Sequence, residues 1–496
     1  MTLQIDFKLS YAGSGCLYRE IYGRFRDAIL NGSLPAGVRV PSIRALASEL
    51  NISRNTVEKA YDLLIGDGLF ISNGAAGTTV ASHSPRRSTH AKHLKPERSA
   101  NPCELSGTPP PLGRSLGSPD ATRDHPHYDV EQLSNRALRP FQLGIPALDA
   151  FPLGVWLTLS RRVLRDRRTI RDEAEPQGYF PLRQAVAGYV QVSRGVKCSA
   201  SQVFITQGYR QSLALLVMAL LRPGDAAWVE DPGYPLALRV LPRLGVEIAP
   251  IPVDACGIDV RAGRTHAPHA RMALVTPGNQ SPLGTVMSLE RRDELTTWAG
   301  ENNAWILEDD YDSEFCPDGR LQPTLSSMDR MGATILLGTF SKTLHPALRT
   351  SYFVAPSQLV PVLRAACQDM VDGASVPIQR TLAAFMAEGH YSRHLKRMRI
   401  LYARRRQMLI DALASRLGDV LLAPPSGAGL RVLAQLADGI RDTDVSAKAE
   451  SKGLAVGVLS TRSVIGASRA GLLLGHSNFE DTSAAASAVE DLAACF

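Results

Sequence analysis

The sequence predicts a multidomain chain: a small α+β unit of three helices and a hairpin, a linker, and a large α/β domain with a mostly parallel sheet. Three observations carry that reading. Residues 11–80 are dense in apolar residues at helical spacing and end in two short strand-like runs. Residues 81–140 then turn to Ser, Pro, His, Arg and Gly, including TPPPLGRSLGSPD, the composition of a flexible linker. From Phe141 to Phe496 buried-strand patterns alternate with helical ones, the order of βαβ units.

The composition agrees. A chain of 496 residues exceeds one ordinary domain, and 44% hydrophobic with 21% charged residues excludes a fibrous or largely disordered protein. The formal net charge of +7 suits a polyanionic partner. Its placement says more than its size. Residues 1–80 are nearly neutral, whereas 81–100 carry Arg86, Arg87, Lys92, Lys95 and Arg98 against Glu97 alone. That basic excess either meets phosphates or is simply solvated. Seven scattered cysteines without a Cys-x-x-Cys pair predict reduced thiols, with neither a disulfide frame nor a metal site. MTLQIDFKLS lacks the pattern of a signal peptide, and LALLVMALL at 213–221 falls short of the ~20 residues that span a bilayer. The expectation is a cytoplasmic protein with no membrane contact.

In the N-terminal unit, Tyr18 to Leu30 places Ile21, Phe25, Ala28 and Ile29 on one helical face and ends at Asn31-Gly32. A second helix, IRALASEL, follows Pro41-Ser42. Asn51-Ile52-Ser53 makes a tight turn, with Ser53 as N-cap of a third helix, RNTVEKAYDLL. Gly66-Asp67-Gly68 stops that helix, and LFISNGAAGTTV reads as a hairpin around Asn73-Gly74. This order is that of a winged helix-turn-helix, whose third helix enters the major groove of double-stranded DNA. Arg54, Asn55 and Thr56 lie where base edges would be, and Lys59, one turn on, suits a phosphate. The string VPSIRALASELNISRNTVEKAYDLLIGDGLF resembles the GntR-type winged helix throughout. That resemblance implies that Arg44 joins Ser53, Arg54, Asn55, Thr56 and Lys59 at the DNA.

In the large domain, the strand candidates are FITQG (204–208), AAWVED (226–231), RMALVTP (271–277), AWILED (304–309) and TILLGTF (334–340). Lys342 follows the last of them. A lysine at the end of a buried strand is desolvated, which favours a neutral amine able to condense with an aldehyde. EDDYDSEF (308–315) offers Asp309 as a buried anion for a pyridinium nitrogen and Tyr311 as a phenol for a ring oxygen. QGYRQS (207–212), with Gly208, Tyr209 and Arg210, joins a strand end to a helix start, as a phosphate cup requires. Thr339, Ser341 and Arg349 are further phosphate donors, and Tyr234 in EDPGYP is a ring to stack on the cofactor.

Taken in order, QGYFPLRQAVAGYV, WVEDPGYP, TPGNQSPLG, WILEDDYDSEF and LGTFSKTLHPALR resemble fold-type I aminotransferases, and specifically the aminotransferase-like half of MocR/GabR regulators. The resemblance implies pyridoxal 5'-phosphate held on Lys342, Asp309 at its pyridine nitrogen, Tyr311 at its phenolic oxygen, Tyr234 over the ring and Arg349 on the phosphate. It also implies a homodimer in which each DNA-binding domain lies over the partner's aminotransferase-like domain. The expected boundaries are 11–80 for the winged helix, 81–140 for the linker and 141–496 for the rest. Within the rest, a large subdomain takes about 180–370, and a small one takes 371–496 with 141–179.

The sequence departs from the family in three places. Asn279 and Ser281 stand where His and an aromatic residue are usual, which leaves Asn279 or Gln280 for the ring oxygen. Tyr209 and Arg210 are bulky for the cup. LLLGHSN (472–478) carries His476 where catalytic relatives have a carboxylate-binding arginine nearby; here the nearest are Arg462 and Arg469. The expected function is transcription regulation, with an amine or amino-acid effector exchanging at Lys342, or with pyridoxal phosphate itself as the signal. The alternative is an active aminotransferase with an appended winged helix.

Overall fold

Ser42 and Ser53 each sit in extended backbone one residue before a helix. Their hydroxyls accept from the amides of Ala45 (3.1 Å) and Thr56 (3.2 Å). Each thereby satisfies a first-turn donor that has no partner inside its helix. These caps open α2 (Ile43–Glu49) and α3 (Arg54–Gly66), which follow α1 (Leu17–Leu30). Gly68, at φ +72°, turns the chain out of α3 into β1 (Phe70–Ser72), which pairs antiparallel with β2 (Thr78–Val80). The computed structural model describes residues 17–30, 32–50, 52–72, 77–81, 138–167, 169, 175–315, 323–371, 373–424, 429–466 and 470–496. Asn31, the hairpin turn at Asn73-Gly74, Arg469 and nearly all of the expected linker lie outside them.

Ile21, Phe25, Ala28 and Ile29 are buried, as the helical period of α1 predicts. They meet Leu46, Val57, Ala60 and Leu64 in one small core. At its centre Phe25, Tyr61 and Phe70 pack edge to face, with ring centroids 5.2 to 5.7 Å apart. Arg44, Ser53, Arg54, Asn55 and Lys59 are exposed and Thr56 is half-buried, so the expected DNA-facing residues stand outside this core.

In the second domain the main sheet runs β3 (Val203–Thr206), β10 (Ser351–Val354), β9 (Thr334–Thr339), β8 (Trp305–Asp310), β7 (Met272–Val275), β4 (Ala226–Asp231), β5 (Glu247–Asp254) and β6 (Gly257–Ile258). β9, β8, β7, β4 and β5 are parallel neighbours, whereas β10 lies antiparallel between β3 and β9. Short antiparallel β10 and β6 carry little pattern of their own and were not among the expected strands. FITQG ends as a strand at Thr206, because Gly208, at φ +106°, turns the chain into the helix Tyr209–Leu220. The carboxyl ends of β3, β4, β7, β8 and β9 therefore share one edge, where ligands of open α/β sheets bind.

Helices bury both faces of this sheet, as a parallel sheet requires. A second sheet, β11 (Leu421–Leu422), β12 (Arg431–Leu436), β14 (Gly471–Gly475) and β13 (Gly457–Val458), is antiparallel throughout. It packs against the helices His390–Leu417 and Thr482–Ala493. An isolated bridge from Phe141 to Gly475 brings the start of this domain onto that sheet. No helix among the described residues is long and apolar enough to cross a membrane.

The aromatic centre of the winged helix gives a direct expectation. Phe25→Ala removes a fully buried ring and costs about 3–5 kcal/mol, so the N-terminal unit should melt first in calorimetry and operator binding should fail. The large domain should keep its own transition. A single unchanged transition would contradict this packing.

Candidate functional site

β9 ends at Thr339, and Ser341-Lys342 follow at the carboxyl edge of the main sheet. The turn is held by Thr339 Oγ1, which accepts from the Ser341 amide (3.1 Å) and from Ser351 Oγ on β10 (3.0 Å). Lys342 Nζ donates to the Gly144 carbonyl at 2.6 Å. Gly144 sits at φ +72°, and a Cβ there would come within 2.5 Å of Nζ, so only glycine permits this approach. Burial lowers the Lys342 pKa, Asp312 and Asp309 raise it again, and Arg431 lowers it. The amine thus lies among mixed charges rather than in water.

Asp309, near the end of β8, is buried, and its pKa is pushed up to about 8. Desolvation is the largest cause, followed by repulsion from Asp310 and Asp312; a hydrogen bond from Tyr209 acts against them. Asp310 pairs instead with Arg194 from the helix Phe180–Arg194. Asp312 accepts from Asn279 Nδ2 (2.7 Å), and burial raises its pKa while Arg431, Asn279 and Lys342 lower it. Tyr311 donates to the Asn279 carbonyl (2.9 Å) and accepts from Arg431 Nη1 (2.7 Å). Arg431 also donates to the Gln280 carbonyl at 2.8 Å. Desolvation raises the Tyr311 pKa, so its hydroxyl keeps its proton.

The remaining expected residues occupy the same edge. Gly208 precedes the first turn of the helix Tyr209–Leu220, and a Cβ added there would meet nothing within 4 Å. Arg210 and Arg349 are exposed, the latter at φ +47°. Tyr234 is 42% exposed, and its ring lies edge-on to Tyr209 with centroids 5.9 Å apart. Of the two residues left open for the ring oxygen, Gln280 has its amide committed: Nε2 donates to Glu230 (3.2 Å) and to the Pro232 carbonyl (2.9 Å), and Oε1 accepts from the Leu283 amide (2.8 Å). A buried carboxylate needs such donors. Asn279 keeps Oδ1 buried without a hydrogen-bond partner.

His476 is buried, bonded through Nε2 to the Gly429 carbonyl (3.2 Å), and desolvation drops its pKa to about 3. It is neutral and cannot anchor a carboxylate by charge. Arg462 is buried beside the Tyr234 loop, where its carbonyl accepts from the Gly233 amide at 3.0 Å. Asp231 fastens the same loop by accepting from Ser463 Oγ (2.7 Å) and the Val464 amide (2.6 Å). The sequence reading did not single out Gly144, Asp312 or Arg431. Asp312 stands inside the quoted EDDYDSEF run, but Arg431 and Gly144 belong to elements brought to the site only by tertiary folding.

Comparison with known proteins agrees with both halves of this architecture. Residues 17–80 match the model of the bacterial regulatory proteins of the gntR family, and residues 142–439 match aminotransferase class I and II. The probable rhizopine catabolism regulatory protein MocR of Rhizobium meliloti is 32% identical over 94% of this chain and 90% of its own. The chain is a MocR-type regulator of the gntR family. The HTH-type pyridoxine biosynthesis transcriptional regulator PdxR of Corynebacterium glutamicum is also 32% identical, over 89% of this chain and 87% of its own. Among solved structures, the α-aminoadipate aminotransferase LysN of Thermus thermophilus aligns with a TM-score of 0.65 at 25% identity, covering 72% of this chain and 91% of that one. An archaeal alanine:glyoxylate aminotransferase shares the fold, with a TM-score of 0.67 at 22% identity over 73% of this chain and 91% of its own. This MocR-type regulator is a DNA-binding transcription regulator with an aminotransferase-like, pyridoxal-phosphate-dependent domain.

The raised Asp309 pKa sets a pH dependence. A carboxyl raised from 3.8 to about 8 binds its proton more tightly in the folded chain. Its contribution to stability is full below pH about 4 and is lost as the pH rises through about 8. Glu230 and Glu308, each pushed up to about 7 by burial, act in the same direction. The cofactor-free protein should melt at a lower temperature at pH 9 than at pH 6, and Asp309→Asn should narrow that gap. An identical gap in the variant would show that Asp309 ionises without cost.

Proposed function

We propose that the protein is a cytoplasmic transcription regulator whose Lys342 site holds pyridoxal phosphate and responds to an amine or amino-acid effector. The observation that carries this reading is the desolvated Lys342 amine, 2.6 Å from the Gly144 carbonyl, in a setting that also contains buried Asp309. Bound pyridoxal phosphate supplies an aldehyde that condenses reversibly with primary amines. Lys342 would hold the cofactor until an effector amine takes its place. Asp309 would face the ring nitrogen, where a cation would answer its buried charge. Gly208, Tyr209, Arg210, Thr339, Ser341 and Arg349 would hold the phosphate, with the open space at Gly208 and the helix start behind it as support. Tyr234 would cover the ring, and Tyr311 with Asn279 or Gln280 would lie on the oxygen side.

At the other end of the protein, Arg44, Ser53, Arg54, Asn55 and Thr56 would meet the operator, with Lys59 on a phosphate. The exposure of this face supports that reading, as does its standing outside the winged-helix core. The working assembly would be a homodimer. In a swapped pair each winged helix would lie over the partner's aminotransferase-like domain.

One observation favours a second signal, pyridoxal phosphate itself. The strand and turn GLLLGHSN at 471–478 contain no arginine, and His476 is neutral. The PdxR relative, described as a regulator of pyridoxine biosynthesis, fits such a signal. Titrating the cofactor-free protein with pyridoxal phosphate, then with amines, while following operator binding separates the two. A change on cofactor alone selects the second reading, and a further change on amine selects the first. Turnover of amino donors with 2-oxo acids at roughly 1–1,000 per second would replace both by an active aminotransferase.

Two variants test the assignments. Lys342→Ala should abolish the visible absorption that the wild type gains with pyridoxal phosphate, and a coloured variant would remove Lys342 from its role. Arg54→Ala should relax base preference at a cost of about 1–3 kcal/mol, whereas Lys59→Ala should weaken all sequences alike and reduce the salt slope by about 1. Equal losses on every sequence for Arg54→Ala would argue against base reading there.

A further inference from the structure

Helix α3 ends on a half-buried carboxylate. Asp67, its C-cap, accepts from Tyr22 of α1 at 2.6 Å and from Ser392 Oγ at 2.5 Å. Ser392 belongs to the aminotransferase-like domain, in the first turn of the helix His390–Leu417. Burial pushes the Asp67 pKa up, and the Ser392 and Tyr22 hydrogen bonds draw it back. The residue before the helix, Gly389, lies at φ +73°, and a Cβ on it would overlap the Leu63 side chain of α3. Both the bond and the glycine therefore hold the recognition helix directly against this one turn.

The same turn reaches the other way. Tyr391 OH donates to Thr343 Oγ1 at 3.1 Å, and His394 Nε2 lies 2.8 Å from the Thr343 carbonyl. A carbonyl only accepts, so Nε2 carries the proton. Desolvation drops the His394 pKa to about 4, so the ring stays neutral and its tautomer is fixed. Thr343 is fully buried and follows Lys342 directly. Tyr391, Ser392 and His394 thus bond to the lysine turn on one side and to the recognition helix on the other.

We propose that the first turn of the helix His390–Leu417 is a joint that couples the state of Lys342 to the seating of the recognition helix. The inference rests on the reading of Lys342 as the responsive residue. Lys342 Nζ is tied to the Gly144 carbonyl, so releasing or engaging that amine changes the restraint on the 342–343 backbone. Thr343 bears two hydrogen bonds from the joint, and such bonds tolerate little change in length or angle. A displacement of Thr343 is carried to Tyr391 and His394, and Ser392, between them, carries it to Asp67. Coupling between sites needs an element whose arrangement both ends bias; this turn is bonded at both ends.

The test is amide hydrogen exchange of the full chain, with and without pyridoxal phosphate, on the wild type, Tyr391→Phe and Ser392→Ala. In the wild type, loading the cofactor should change exchange at residues 63–68 by about fivefold, the factor that one net hydrogen bond is worth. Tyr391→Phe loses the bond to Thr343, and Ser392→Ala loses the bond to Asp67. Both should retain the cofactor absorption while the response at 63–68 falls below about twofold. An unresponsive 63–68 segment in the wild type, or a full response in both variants, overturns the joint. Operator binding measured on the same samples separates this from the functional reading. Exchange that responds while operator affinity ignores both cofactor and amines keeps the joint and rejects the sensing role. Affinity that responds without exchange at 63–68 rejects the joint and keeps the role.

Discussion

Burying many ionisable groups at one edge of a sheet is the constraint on which the rest of this structure depends. Glu230, Glu308, Asp309, Asp312, Glu314 and Arg194 are all buried near the carboxyl ends of the parallel strands. An unanswered charge in such a place is costly, so each demands a partner. Glu230 takes Thr276 and Gln280, Glu308 takes the amides of Leu325 (2.8 Å) and Ser326 (2.9 Å), and Arg194 lies between Asp310 and Glu314. These pairings fix the loops that follow the strands, and so fix the site. Asp309 has the Tyr209 hydrogen bond set against repulsion from Asp310 and Asp312, and its carboxyl stays protonated to about pH 8. A cationic ring nitrogen would complete the set.

That constraint also accounts for what could be read from the sequence. The placement of Lys342, Asp309 and Gly208 at one edge was legible because each lies at or just past the end of a strand whose apolar run is self-contained, and parallel topology brings strand ends together. The N-terminal unit was legible for a different reason: Ser42 and Ser53 cap their helices through bonds three residues long, and Phe25, Tyr61 and Phe70 follow local periods. What escaped was long-range. Gly144 reaches Lys342 across 198 residues of sequence, and Arg431 reaches Tyr311 across 120. Neither short pattern contains a hint of its partner. β10 was missed because four residues, Ser351–Val354, give no useful period, although this strand separates β3 from β9.

The two halves of the chain meet at one turn. In the large domain the carboxyl edge of the main sheet gathers Lys342, Asp309 and Asp312, and a neutral His476 follows directly on β14. In the small domain α3 has its C-terminal end seated on a turn bonded to the residue after Lys342. On the proposed reading, a ligand at Lys342 acts through this joint only as far as its affinity differs between two arrangements of the turn, because a ligand shifts an equilibrium only through differential affinity for two states.

The most direct test uses the loaded protein itself. Borohydride reduction should fix pyridoxal phosphate permanently on Lys342, after which no amine can take the lysine's place. Operator affinity of the unreduced protein should change on adding an effector amine, and the reduced protein should hold one affinity whatever amine is added. An equal response to the amine before and after reduction would contradict exchange at Lys342 as the signal.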